Sequence, residues 1–345
     1  MQTEPILTET IASIQDILGA DLDRITVERV VVGLFFTGVK LDTSVTGACA
    51  TSLRSIPDAR APLSGKLRGR LAGELLKEAT APTGVRRTVG IATMNALAAM
   101  CWERRPTAGV DLCAGVNAYD AAEIQAGENV VVVGAFVPFL KSLKRTHQRF
   151  TVLEMDSATL KLDELTHFRP ANEAASVVPD ADVVLITGTT LLNNTLENLL
   201  ALCQPKARVV LVGPTVGLLP DAFLRRGVDV LGGVRVTAPD AFLDVLMEGG
   251  SAYHFFGRSA EKVVLMRRAA TRKIASVWWC IGRHASIRGL LQHSPELGDS
   301  ARETSVWPTR SDKKGEIHVA SPWTKGCGAK APTGATRSGL SVTRT

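Results

Sequence analysis

The chain has 345 residues, 45% of them hydrophobic and 21% charged, with a formal net charge of +6. At roughly 100–200 residues per domain this length suits two domains, and the longest apolar runs, Val30–Val39 and Val130–Leu140, fall short of the roughly 18 residues that cross a bilayer, which excludes a transmembrane helix and a membrane partner. The basic excess is local: residues 267–345 carry 14 Lys/Arg against 5 Asp/Glu, leaving a net of −3 for residues 1–266 and no expectation of a nucleic-acid partner there.

The chain opens with Ile6, Ile11, Ile14, Ile17 and Leu18 at helical spacing, ending at Gly19. Glu4, Glu9, Asp16, Asp21 and Asp23 in this stretch leave no basic apolar leader, so the expected compartment is the cytoplasm. Arg29–Lys40 is a β-branched and aromatic run that predicts a strand. The turn Leu41–Ser44 and the extended run Val45–Leu53 complete a hairpin. Arg54–Lys66, with Pro57, Pro62 and Gly65, reads as a loop. Helices are expected over Leu67–Ala79 and over the Ala-rich stretch Arg87–Cys101. Residues 1–110 thus read as a small α+β domain.

The texture then changes to short apolar strands separated by helical patterns. Strands are predicted at Asn129–Val133, Phe150–Leu153, Asp182–Thr187, Arg208–Val212 and Val228–Gly232, with a last edge strand at Lys262–Met266. Continuous Val/Leu/Ile runs of this length are strands buried on both faces, as in a parallel sheet covered by helices. Residues 111–266 are expected to form a Rossmann-like, doubly wound α/β domain. Residues 267–345 hold four of the five Trp and no sustained hydrophobic period. This basic tail is expected to be disordered, and two readings stand: an interaction arm, or an aberrant stretch such as the product of a shifted frame. The six cysteines are scattered without C-x-x-C or zinc-ligand spacing, so neither a disulfide framework nor a structural metal site is indicated.

In an open parallel sheet, ligands lie beyond the carboxyl ends of the strands. Gly134 and Phe136 follow the first strand, but the other glycines of a dinucleotide loop are missing. Glu154 ends the second strand, 20 residues after Gly134, where an acid commonly bonds ribose hydroxyls; a nucleoside-type ligand and an ordinary strand-end carboxylate both remain open. The segment Thr187-Gly188-Thr189-Thr190-Leu191-Leu192-Asn193-Asn194-Thr195-Leu196-Glu197 runs from strand end to helix start. Asn194 with Glu197 three residues on predicts a helix cap. That leaves Thr187, Gly188, Thr189, Thr190 and Asn193, which with Thr195 beside them read as a polar rim suited to an anionic or strongly polar ligand. Gly213, Pro214 and Thr215 repeat the small, polar pattern at the next strand end. In the first domain, Lys40 beside the hairpin turn belongs either to a solvated tip or to a ligand-facing group, and Asn95 lies within the Ala-rich helix; these two are the candidates for catalysis if the protein is an enzyme. An amide in a small-residue helix is either an interdomain hydrogen-bonding group or a ligand contact. Lys141, Lys144, Arg145 and Arg149 read as a solvated helix face, and the His residues are isolated.

The segments Val31–Thr37, Gly90–Leu97, Val132–Phe136, Thr187–Thr195 and Val212–Thr215 together resemble the DUF364 heavy-metal chelation family, with its N-terminal DUF4213 domain, over about residues 10–266. The resemblance implies an enolase-N-terminal-like domain followed by a Rossmann-like domain, with the site between them. It implies a small-molecule ligand of chelator type, siderophore-, pterin- or flavin-like, undergoing condensation or hydrolysis. The alternative is a binding protein that sequesters a metal–chelator complex. Since no soft-ligand cluster is present, metal is expected through a bound chelator rather than directly on the chain. The sequence does not specify an oligomeric state.

Overall fold

The computed structural model describes residues 5–51 and 64–268. The tail expected over 267–345, beyond Arg268, and most of the loop expected over Arg54–Lys66 lie outside the described residues. Helix α1 (Pro5–Leu18) runs into a 3-10 turn, Gly19–Asp23, and is followed by strands β1 (Val27–Val32), β2 (Phe36–Leu41) and β3 (Thr46–Ala50). These three form an antiparallel sheet in that order. The run Arg29–Lys40, expected as one strand, is folded back on itself at Gly33–Phe35. The reversal is fixed by packing: a Cβ on Gly33 would run into the Leu246 carbonyl.

Helix α2 (Ala72–Leu76) and the 3-10 turn Lys77–Thr80 replace the longer helix expected over Leu67–Ala79. Helix α3 (Val85–Arg104) is buried almost all round, from Val85 to Cys101. This position explains its Ala- and Gly-rich composition, because a helix enclosed on every side needs small residues rather than one apolar stripe. Gly47 of β3 lies so close to α3 that a Cβ there would collide with the Ala92 carbonyl.

The remaining elements are β4 (Val110–Ala114), α4 (Ala118–Ala121), β5 (Val130–Val133), α5 (Val137–Arg145), β6 (Phe150–Glu154), β7 (Phe168–Pro170), α6 (Ala174–Val177), β8 (Val183–Thr187), α7 (Leu196–Leu202), β9 (Arg208–Val212), α8 (Asp221–Leu224), β10 (Val230–Val236), α9 (Pro239–Met247), α10 (Ala252–Phe255) and β11 (Ala260–Arg267). Among the described residues they build an eight-stranded sheet in the order β4-β11-β10-β9-β8-β5-β6-β7. Strands β5 to β10 pair in parallel, whereas β11 is antiparallel to both β10 and β4. The order reverses between β5 and β8, which is the topological switch of a doubly wound sheet.

One core joins α1, α3 and the small sheet to one face of the large sheet; a second lies on the opposite face under α4 and α5. A third links the small sheet to the other end of the chain. There Val31 and Ala48 pack with Phe242, Leu243, Leu246 and Phe255 of α9 and α10. The small sheet is therefore covered on one face by its own helix α3 and on the other by helices that follow β10.

Candidate functional site

The carboxyl ends of the parallel strands present two different places. The first is the switch point, where β5 and β8 lie side by side. Gly134 leaves β5 at φ +98°, and a Cβ there would stand 2.8 Å from Thr187 Cγ2, so the two strand ends are in close contact. Phe136 packs against Phe139 with ring centroids 4.7 Å apart and the rings tilted by 36°. Glu154 accepts from the Ala135 N–H at 2.9 Å and from the Met155 and Asp156 N–H groups at 2.7 and 3.3 Å, which ties the ends of β5 and β6 together.

The polar rim is largely bonded to itself. Thr187 Oγ1 lies 3.1 Å from Thr189 Oγ1, and Thr190 Oγ1 donates to the Thr187 carbonyl at 2.7 Å. Thr195 Oγ1 donates to Asn193 Oδ1 at 2.7 Å. The expected cap is corrected here. Helix α7 starts after Thr195 with no side-chain cap, and Asn194 sits in the left-handed region at φ +60°. Glu197 turns away to accept from the Ile6 N–H at 2.9 Å and from Arg226 at 3.0 Å. It thereby serves the first turn of α1, whose N–H groups lack partners within that helix.

The second place is a cavity of about 320 Å³ between the small sheet and the carboxyl ends of β9 and β10. Its walls are the β2–β3 turn and β3 over residues 43–48, the α3 residues Asn95, Ala99, Trp102 and Glu103, Leu112 of β4, the loop around Pro214 and Val216–Leu218, and Val234–Thr237 with Pro239. Asn95, 6% exposed, donates through Nδ2 to the Ala48 carbonyl at 2.8 Å, the Thr215 carbonyl at 3.0 Å and the Pro214 carbonyl at 3.3 Å. Its Oδ1 is buried without a hydrogen-bond partner, against Gly217, where a Cβ would stand 2.5 Å away. Thr215, also buried, accepts from the Ala50 N–H at 3.1 Å. Of the residues singled out in sequence, the cavity takes in Asn95 and Pro214, while Thr215 braces its wall. Gly188 meets the same loop from behind, since a Cβ on it would lie 3.2 Å from Thr215 Cβ. Gly213 ends β9 with its N–H on the Gly232 carbonyl.

Lys40 is engaged elsewhere. Its buried ammonium bonds Asp240 of α9 at 2.9 Å and Glu28 of β1 at 2.9 Å, and those two carboxylates hold it above the usual lysine range. Cys49, next to Thr215, is also unsuited to proton or nucleophile chemistry, because burial pushes its thiol up to about 12. Trp102, Glu103, Val216–Leu218 and Val234–Thr237 were not singled out in sequence. No spacing marks them, since they meet only when β3, α3 and β10 converge. Among the described residues no group of three or more His, Cys, Asp or Glu is placed to hold a metal ion. Nor is any helix long and apolar enough to cross a membrane.

Comparison with known proteins places both parts of this architecture. The DUF364 family model, described as "Putative heavy-metal chelation", matches residues 117–265, and the DUF4213 model, with the same description, matches residues 15–98. An uncharacterized protein of Methanocaldococcus jannaschii is 29% identical over 180 residues, 51% of this chain; the match spans 64% of that protein, a little under two thirds. A DUF364 crystal structure from Pyrococcus horikoshii superposes with a TM-score of 0.59 at 19% identity, covering 75% of this chain and 98% of that one. Another from Desulfitobacterium hafniense DCB-2 gives 0.56 at 21% identity, covering 74% and 99%. At these identities the two structures speak for the fold.

Proposed function

Given that this chain belongs to the DUF364 heavy-metal chelation family, with a DUF4213 segment at its N-terminal end, we propose that it binds a small polar chelator-type molecule, with or without its metal, in the cavity between those two segments. The observation that carries this reading is the cavity's joint construction. Residues 43–48 and Asn95 come from the DUF4213 segment, and the loop 214–218 and residues 234–237 come from the DUF364 segment. Small-molecule sites favour such junctions, with apolar walls and a few convergent polar groups. Here Thr43, Ser44, Thr46 and Thr237 supply hydroxyls, and Leu112, Val216, Leu218 and Val234 the apolar surface.

Metal is cargo in this reading. Glu103 is the lone carboxylate among the lining residues, and no Cys or His lines the cavity, so the ion would arrive already coordinated by the chelator. Binding is favoured over condensation or hydrolysis because both expected catalytic groups are committed. The Lys40 ammonium is held by two carboxylates and the Asn95 amide by three carbonyls, so neither is poised for general acid–base work.

The test is co-purification. Full-length protein and an Ala99→Trp variant, whose indole would occupy the cavity, are incubated with a bacterial metabolite extract containing zinc, nickel and ferric ions. Bound compounds and metals are then measured by mass spectrometry. A metal-binding compound retained by the parent and lost from a folded Ala99→Trp protein is the expected result. Equal retention by both proteins, or time-dependent conversion of the compound, would overturn it.

A further inference from the structure

The main-chain hydrogen bonding around this cavity narrows its ligand further. In the small sheet, the Leu41 N–H bonds to the Val45 carbonyl and the Thr51 N–H to the Phe35 carbonyl. With the pairing Phe36↔Ala50 to Lys40↔Thr46, the residues that exchange bonds with β2 are Gly47 and Cys49. Alternation along an antiparallel ladder then turns the N–H and C=O groups of Thr46, Ala48 and Ala50 outward. The side-chain contacts agree, because the Ala48 carbonyl meets Asn95 and the Ala50 N–H meets Thr215. The Thr46 N–H, the Thr46 carbonyl and the Ala48 N–H have no partner among the described residues, although both residues are buried, at 6% and 4% exposure.

The facing wall repeats the pattern. The Thr237 N–H bonds to the Ser259 carbonyl, and the Gly115 N–H bonds to the Lys262 carbonyl on the far side of β11. In the register Val230↔Met266 to Val236↔Ala260, this assigns the β11-directed bonds of β10 to Leu231, Gly233 and Arg235. Val234 and Val236 therefore point the other way, past the end of β9, whose pairing with β10 stops at Gly232↔Val212. Their main-chain groups also lack partners among the described residues. Thr46 and Ala48 are buried whereas Val234 and Val236 are half-buried, and buried main-chain groups are almost always paired. Two strand segments with unspent donors and acceptors lining one cavity thus describe what is meant to fill it.

We infer that the cavity takes a short, extended, amide-linked molecule of about two to three units, whose own N–H and C=O groups bond to Thr46 and Ala48 on one wall and to Val234 and Val236 on the other. This inference rests on the reading of the cavity as the ligand site. Amide groups spaced like those of a peptide match the roughly 7 Å repeat between alternate residues of a strand. The size limit is also geometric. Cα atoms of β3 and β10 come within 8 Å of each other at their nearest, closer than the roughly 9.5 Å that an intervening strand requires, so a molecule that bonds both edges fits only where they stand further apart. The cavity reaches Thr46 and Ala48 but not Ala50, and Val234–Thr237 but not Gly232, so the molecule sits where the two edges run out. Glu103 lines the same space and gives one carboxylate for the amino end of such a molecule, whereas Arg235, also at the wall, is already paired with Glu261 at 2.7 Å.

The test uses trialanine and its backbone N-methylated analogue as probes on the full chain, with calorimetry and amide hydrogen exchange as readouts. Trialanine is expected to bind saturably and to slow exchange at Ala48 and at Val234 or Val236. The N-methylated analogue, which keeps shape and charge but lacks the amide hydrogens, is expected to bind at least tenfold more weakly, as is trialanine to Ala99→Trp. Equal binding of the two probes, or no binding of trialanine, overturns the inference whether or not the Ala99→Trp protein folds. If trialanine fails while a cavity-dependent metal-binding compound is recovered from the extract, the ligand class is wrong and the site reading stands. If trialanine binds as expected and no metal-binding compound is recovered, the amide-linked ligand stands and the chelator reading falls.

Discussion

The switch-point rim and the cavity beside the small sheet lie along the same edge of one sheet and use most of their polar groups in different ways. At the rim, Thr187, Thr189, Thr190, Asn193 and Thr195 bond to one another or to nearby carbonyls and Glu154 accepts from three N–H groups, while Asn194 Oδ1 alone is buried without a hydrogen-bond partner among these side chains. At the cavity, Asn95 Oδ1 and the outward main-chain groups of β3 and β10 are left over. A dense run of polar residues in sequence can be spent largely on bonds among its own members, whereas a sparse, mostly apolar wall can leave groups over for a ligand.

The contrast can be broken most severely at Arg87, the buried residue of α3 that reaches from the cavity-bearing segment to the rim. It is 1% exposed and donates to the Leu191 carbonyl at 2.7 Å and the Ala81 carbonyl at 3.3 Å. Arg87→Met is expected to lose roughly 3 kcal/mol, because a buried carbonyl is left without its charged donor. Urea unfolding checks this; a loss below about 1 kcal/mol would mean that the two segments are held together without it.

A smaller loss, about 2 kcal/mol, is expected for Asn95→Leu, which removes donation to three carbonyls around the cavity. The decisive comparison is with Asn193→Ala at the rim. Asn193 is exposed and accepts one local bond, so its loss should stay within about 0.5 kcal/mol and leave ligand retention unchanged. If Asn193→Ala abolishes retention and Asn95→Leu does not, the site belongs at the switch point instead.

The seam between the two segments should also respond to acid. Glu9 of α1 is held down from 4.5 to about 2 by hydrogen bonds from Arg226 and then Arg225, which follow α8. A carboxylate whose folded value is depressed contributes its full stability above its unfolded value and loses it as pH falls through the folded one. The window here runs from about pH 4.5 down to about pH 2. The side chain is 38% exposed, so solvent screening limits the effect to less than about 1 kcal/mol. Melting curves of the parent and Glu9→Gln should differ above this window and converge within it.

The smallest effect is expected at Asn194. Its φ of +60° is a conformation that glycine adopts without cost, so Asn194→Gly should change stability by no more than about 0.5 kcal/mol. A loss near 2 kcal/mol in thermal unfolding would show that the Asn194 side chain supports the rim more than its contacts indicate.

Sequence pattern alone determined the strands that lie within the body of the large sheet. Runs such as Val130–Val133 and Val183–Ile186 are apolar at every position because both faces are covered, and that signal does not depend on partners elsewhere. The first helix was legible for a related reason, since its apolar stripe repeats at helical spacing. Strand β4 went unread because it joins the sheet only through β11, which lies about 150 residues further along the chain. The short edge strand β7, three residues long, carries too little pattern to recognise. The break at Gly33 was decided by α9 pressing on the hairpin, and the turning of Glu197 toward α1 by a helix start nearly 200 residues away. The cavity itself was beyond sequence reading. Its polar atoms are main-chain groups, identical in every residue type, and only the register of β3 and β10 decides which of them face inward.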